Sequence, residues 1–193
     1  VRTFDPHSND TDADGDALIV TQVDGNAITA GGASIPVSNG SVRMLADGRL
    51  RFTPDPDYNG TTSFTYTISD SNGGFDTATA TMNVSAVNDA PVNSLPANQS
   101  IAEDNALVFS AANSNLISLS DVDAGSSNLT ITLSVPQGSL LLGSSAGVTA
   151  TGNGSGTVVL SGPQANLNAA LDGLSYTPAL NQNGSVSLSV STS

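Results

Sequence analysis

Seven residues near the start of the chain, Asp10-Thr11-Asp12-Ala13-Asp14-Gly15-Asp16, set four carboxylates at alternate positions. Like charges this close repel, so the loop is costly unless water or a cation neutralises it. A hard cation taking roughly six to eight oxygens at about 2.3–2.6 Å meets that need, and calcium is the extracellular candidate. The first six positions follow the Asp-x-Asp-x-Asp-Gly of an EF-hand loop. The twelfth is Thr21 rather than Glu, and Leu18-Ile19-Val20-Thr21 is β-branched strand material rather than the start of a helix. The expectation is a calcium loop on a β-scaffold; the plain alternative is a solvated turn with Asx-type hydrogen bonds.

The other acids are few and grouped. Asp121 and Asp123 repeat a reduced form of the loop, and Asn88-Asp89 place two oxygen ligands just before Pro91, which cannot donate to a sheet ladder. Asp55 and Asp57 lie in a Pro-Asp-Pro-Asp turn. If each half is a sandwich, Asp55, Asp57, Asn88, Asp89, Asp121 and Asp123 are expected to converge on one interdomain calcium site. Asp70 follows a strand back towards Asp10–Asp16. Glu103 and Asp104 are expected in a turn near the far end of the second half, where Ala179 and Asn181 have replaced Asp55 and Asp57, so a third site is not expected there.

Composition excludes several classes. Seventeen acids against four arginines and no lysine give a net charge of −13, unsuited to nucleic acid or an anionic membrane surface. There is no cysteine, so disulfides, thiolate catalysis and zinc–thiolate sites are excluded, and without lysine so is a lysine–asparagine isopeptide crosslink. His7 is the only imidazole and no Gly-x-Ser-x-Gly elbow occurs, so an enzyme is not expected. A glycosidase dyad would want aromatic platforms, but there is no tryptophan, and Phe52, Phe64 and Tyr66 alternate as core residues. No apolar run reaches the ~18 residues of a membrane span and no signal peptide opens the sequence, which reads as a piece of a longer secreted protein.

The scaffold that must position these acids is legible as an internal repeat. Leu50-Arg51-Phe52-Thr53-Pro54 through Gly60 aligns without a gap on Leu174-Ser175-Tyr176-Thr177-Pro178 through Gly184, at an offset of 124. Phe64, Tyr66 and Ile68 then fall on Leu188, Val190 and Thr192. A second anchor matches Asp10, Asp12, Leu18 and Val20 to Asp121, Asp123, Leu129 and Ile131, at an offset of 111. The offsets differ by thirteen residues, assigned to Pro163–Gly173, where Leu167, Ala170, Leu171 and Leu174 have helical spacing between a first-turn proline and a capping glycine. One short helix is expected there.

Strands are expected at 17–23, 41–45, 49–53, 62–69 and 77–86, then at 99–102, 106–110, 129–135, 139–142, 147–151, 156–160, 174–177 and 185–191. Short strands punctuated by Asn-Gly, Asp-Gly and Gly-Gly indicate antiparallel sandwiches. The fold class expected is all-β: two tandem Ig/cadherin-like antiparallel β-sandwich repeats of Greek-key type, residues 1–90 and 91–193, with one short helix in the second. Matching Val1 to Ala112 and Ser193 to Ser69 leaves repeat one without its first strands and repeat two without its last. A boundary within a longer array explains this, and addition of a neighbouring strand is the alternative.

Several stretches together resemble the cadherin-like tandem repeats of large bacterial surface adhesins of the RTX type. They are Asn9–Asp16, Gly48–Pro54, Asp57-Tyr58-Asn59-Gly60, Phe64–Asp70, Gly73-Gly74 and Val87-Asn88-Asp89-Ala90-Pro91. Ala86 stands where the cadherin joint has its first Asp. The second half matches more diffusely, through Ala102-Glu103-Asp104, Leu119–Gly125 and Leu174–Gly184. The resemblance implies an extracellular cell-surface role in adhesion or biofilm, with calcium stiffening the array. Expected partners are adjacent repeats or neighbouring copies and cell-surface glycans or proteins, with no nucleic acid and no membrane insertion. The competing readings are a subunit of an extracellular fibre completed by strand addition and a calcium-dependent carbohydrate-binding module.

Overall fold

The computed structural model describes residues 1–8 and 10–193; Asn9, which opens the acidic motif, lies outside them. The chain divides into two compact units, Val1–Val87 and Asn88–Ser193.

The first unit holds two antiparallel four-stranded sheets. One is ordered β1 (Arg2–Phe4), β6 (Leu50–Pro54), β5 (Gly40–Met44), β4 (Ile35–Val37), and the other β3 (Asn26–Ala27), β2 (Ile19–Val23), β7 (Gly60–Ser69), β8 (Phe75–Val84). Alternation turns one face of each inwards. Val42, Met44, Leu50 and Phe52 from the first sheet join Val20, Val23, Phe64, Tyr66, Ile68, Ala80 and Met82 from the second in one buried cluster, which makes the unit a sandwich. The Phe52 and Phe64 rings stack within it, centroids 6.3 Å apart. Val20 and Val23 both face inwards, although three residues apart, because the β2–β7 register shifts between Val20 and Gln22.

In the second unit β10 (Leu107–Phe109), β16 (Leu174–Thr177) and β13 (Ser139–Leu141) form one sheet. A second has the order β14 (Thr149–Thr151), β15 (Thr157–Pro163), β12 (Asn128–Ser134), β17 (Ser189–Thr192), and β9 (Val92–Ser94) pairs with β11 (Ser118–Ser120). The expected helix, α1, runs Gln164–Leu171 and is the one helix among the described residues. Pro163 caps it from outside rather than opening the first turn. Gly173 follows with φ +94°, a left-handed position glycine adopts without Cβ strain. Leu167, Ala170 and Leu171 seat the helix on the core.

Strand pairing refines the repeat. Val20 opposes Ile68 and Ile131 opposes Thr192, so both offsets hold in three dimensions. Val42 opposes Phe52 as Leu140 opposes Tyr176, an offset of 98 for the middle strand. The net thirteen residues are therefore thirteen lost between β12 and β13 and twenty-six gained between β13 and β16. The gain carries β14, β15 and α1.

Two expectations at the ends are corrected. Arg2 opposes Phe52 as Leu107 opposes Tyr176, so β1 is the counterpart of β10 at an offset of 105, and repeat one does contain that strand. Residues 99–102 form no strand; their run is interrupted by polar side chains and leads into an Ala102–Asn105 turn. In the segment expected as a strand over 185–191, only Ser189 onwards pairs.

Candidate cation-binding loops

The Asp10–Asp16 loop is organised by Asp12. Its Oδ1 accepts the backbone N–H groups of Asp14 at 2.8 Å and Asp16 at 3.0 Å, an Asx-type arrangement that folds the loop over one carboxylate. Asp16 Oδ2 accepts from Asn72 Nδ2 at 2.7 Å, tying the loop to the β7–β8 turn. That turn is built the same way: Asp70 Oδ1 accepts the N–H groups of Asn72 at 2.7 Å and Gly74 at 2.9 Å. These backbone donors hold the Asp70 carboxyl below its ordinary pKa. A Cβ on Gly74 would meet the Asp70 carboxylate, so a side chain there would have to displace the carboxylate from these bonds.

Asp10 is half-buried at the inner end of the loop. Its Oδ2 is shielded from solvent and has no hydrogen-bond partner among the described residues. Burial, then the negative charges of Asp10 and Asp76, push the Tyr66 hydroxyl above its ordinary pKa. Asp14 is exposed. His7 precedes the cluster, its N–H bonded to Asp5 Oδ1 at 3.0 Å and its carbonyl accepting from the Asp10 N–H at 3.3 Å.

In the second unit the reduced loop is held from outside. Asp121 Oδ1 accepts the N–H groups of Asp123 at 2.9 Å and Ala124 at 3.0 Å, while the Asp121 N–H donates to Gln164 Oε1 of α1 at 2.8 Å. One turn along the helix, Asn168 accepts the Leu119 N–H and donates to the Leu119 carbonyl, each at 2.9 Å. Asp123 Oδ2 accepts the Asp89 N–H, and Asn88 Nδ2 donates to the Asp89 carbonyl at 2.7 Å. Asn88 and Asp89 are thereby joined to Asp121 and Asp123.

Asp55 and Asp57 belong to a turn of the first unit. Asp55 N–H donates to Asn39 O at 3.1 Å, and Asp57 adopts φ +60°. The counterpart turn keeps this shape with Asn181 at φ +56°. There Asp104 Oδ1 accepts the Asn181 N–H at 3.0 Å, so that carboxylate braces a turn.

Asn72, Gln164 and Asn168 were not singled out by spacing, although they position the acids. The only signals were the Asp-Ser-Asn-Gly turn and two amides four residues apart on a helix. Among the described residues no three His, Asp or Glu side chains stand together as a ready-made metal cage. Asp12 and Asp70 each spend one oxygen on backbone and retain a second, and Asp10 has an oxygen with nothing bonded to it.

No helix among the described residues is long and apolar enough to cross a membrane. No curated protein and no solved structure matches the chain. Residues 2–83, nearly the whole first sandwich, match the model of a family described as bacterial Ig domain, so this unit is similar to a bacterial Ig-like repeat.

Proposed function

We propose that the chain is an extracellular structural and adhesive repeat pair, part of a bacterial cell-surface adhesin and stiffened by calcium. The observation that carries the reading is the retained register of the repeat, Val20 on Ile68 and Ile131 on Thr192, in a chain whose first unit is similar to a bacterial Ig domain. Repetition of one sandwich is how a chain gains length and reach at low design cost. A non-enzymatic role accords with this scaffold.

Calcium would be held in the first unit by Asp10, Asp12 and Asp16 with Asp70, and in the second by Asp89, Asp121 and Asp123. When bound, the ion supplies the positive charge these loops lack. Because the unfolded chain lacks the assembled loops, binding adds stability of RT ln(1 + [Ca]/Kd), about 2.7 kcal/mol at a hundredfold excess over Kd. The residues' own contribution is to present oxygens from loops already tied by Asp12, Asp70 and Gln164.

Calorimetric titration with calcium, with melting before and after chelation, tests the reading. A saturable heat and a higher melting temperature are expected, both reduced in an Asp12→Asn, Asp16→Asn double variant. A calcium trace equal to the buffer blank, with identical melting in chelator, would remove calcium from the proposal and leave a metal-free spacer.

A further inference from the structure

Two Asp–Pro peptide bonds occur in the chain, Asp5-Pro6 and Asp55-Pro56, and both open turns of the first unit. Such a bond is chemically weak because the aspartate carboxylate can close a five-membered ring on its own carbonyl carbon, an intramolecular attack that needs no second molecule. The proline nitrogen, a basic secondary amine once released, is a good acceptor for the proton it takes on leaving. Each turn is closed by a backbone bond, from Ser8 N–H to Asp5 O at 3.4 Å and from Tyr58 N–H to Asp55 O at 3.3 Å. The two differ in what else holds them.

At Asp5 the Ser8 hydroxyl also donates to the carbonyl oxygen, at 3.0 Å. Two donors, one O–H and one N–H, thus face the oxygen that takes negative charge when its carbon is attacked. The carboxylate is held by one oxygen: Asp5 Oδ1 accepts the His7 N–H at 3.0 Å, and the His7 ring Nδ1 lies 3.3 Å from it. That leaves Oδ2 for the carbon. The Asp5 side chain is 53% exposed, so water reaches the bond, while Pro6 is buried and anchors the turn. At Asp55 the third residue on is Tyr58, whose hydroxyl donates away from the turn, to Thr61 O at 2.9 Å.

We infer that Asp5–Pro6 is a self-cleavage site. Asp5 Oδ2 bonds to the Asp5 carbonyl carbon, and the charge that moves onto the carbonyl oxygen is met by the Ser8 O–H and N–H. The tetrahedral carbon then breaks its bond to Pro6 N, which takes a proton from water, and a five-membered cyclic anhydride is left on Asp5. The hydroxide from that proton transfer opens the anhydride to a carboxylate and a carboxylic acid, whose proton passes to the Pro6 amine. The sum is one water added across one peptide bond, once per chain. The cut falls just after β1, which stays paired with β6, and Phe4 packs against Phe64 and Tyr66 with ring centroids 6.2 and 6.4 Å apart. A covalent joint thereby becomes one held by a short strand and a ring.

The test incubates the folded full chain just below its melting temperature and follows it by intact mass spectrometry. A new N-terminus at Pro6 is expected to appear at least ~10-fold faster than any cut at Asp55–Pro56, a preference that should disappear in urea, where both turns are lost. Ser8→Ala, with unchanged melting, should slow the cut by at least ~10-fold, and Asp5→Ala should abolish it. In heavy-oxygen water both carboxyl groups of Asp5 should acquire label, because the anhydride opens at either carbonyl. Label confined to the α-carboxyl would overturn the ring closure. Equal rates at the two bonds in the folded chain, a Ser8→Ala rate equal to that of the wild-type chain, or no Pro6 N-terminus after prolonged incubation would each overturn the inference.

Discussion

The two units share a central register and differ in how they are finished. β2, β5, β6 and β7 have counterparts in β12, β13, β16 and β17, with the same inward positions facing one another. The first unit closes its sheet with β8 beside β7. The second builds outwards from the opposite edge, with β15 and β14 beyond β12 where the first has only the two-residue β3. Their acidic loops differ in the same sense: Asp12 and Asp121 each gather their own loop through one oxygen, and Asp121 is in addition held at its N–H by Gln164 of an inserted helix. Core positions tolerate little because a one-residue slip reverses every side chain, while edges and loops are free to diverge.

The sharpest way to break this comparison is at a glycine the two units share. A Cβ on Gly40 would collide with the Thr53 carbonyl and the Phe52 ring, and one on Gly138 with the Thr177 carbonyl and the Tyr176 ring. If the cores are equivalent, Gly40→Ala should cost about 1–3 kcal/mol through overpacking. Gly138 is also at φ +84°, so Gly138→Ala adds strain of about 1 kcal/mol to the same collision. Denaturant melts followed by amide exchange in each unit should rank Gly138→Ala as the more damaging. Equal or reversed costs would mean that the two glycines do not serve the same packing role.

A smaller effect isolates what is particular to the second unit. Asn168 gives Leu119, 2% exposed, the two backbone bonds a neighbouring strand would otherwise supply. Asn168→Ala leaves a buried N–H and C=O unpaired and is expected to cost about 2 kcal/mol, with Leu119 losing exchange protection. No loss of protection at Leu119 would show that β9 alone organises β11. The first unit should be untouched.

The sequence reading fared best where alternation runs long. β6, β7, β12 and β16 and the helix after Pro163 were legible, because several consecutive residues carry each pattern. β1 was misaligned by six residues, since a three-residue strand carries too little pattern to choose between offsets of 111 and 105. The loss and gain on either side of β13 partly cancel, so only their net of thirteen showed in the spacing. The direction of the Phe64–Ser69 strand foretold that the Asp70 turn would return to the Asp10–Asp16 loop, which it does through Asn72 and Asp16. The Asx-type alternative weighed for the Asp10–Asp16 loop is what Asp12 adopts, while the same turn of one Asp70 oxygen to its own backbone, a local hydrogen bond that competes with any shared ligand, was not foretold.

The smallest effect tests whether the Asp70 turn works through charge or through shape. Its folded carboxyl lies below the ordinary 3.8, so the ionised form favours the folded first unit. That contribution is complete above pH 3.8 and is lost as pH falls through the lower folded value. Asp70→Asn keeps an oxygen acceptor for the Asn72 and Gly74 N–H groups but removes the charge. The variant should therefore be slightly less stable than the wild-type chain at neutral pH, and the gap should close in acid as wild-type Asp70 takes up its proton. The carboxylate is exposed, so added salt should also narrow the gap. A difference that stays constant with both pH and salt would assign the turn's stability to hydrogen-bond geometry alone. The Asp10–Asp16 loop and the Asp70 turn would then be alike in being shaped by hydrogen bonds to their own backbones.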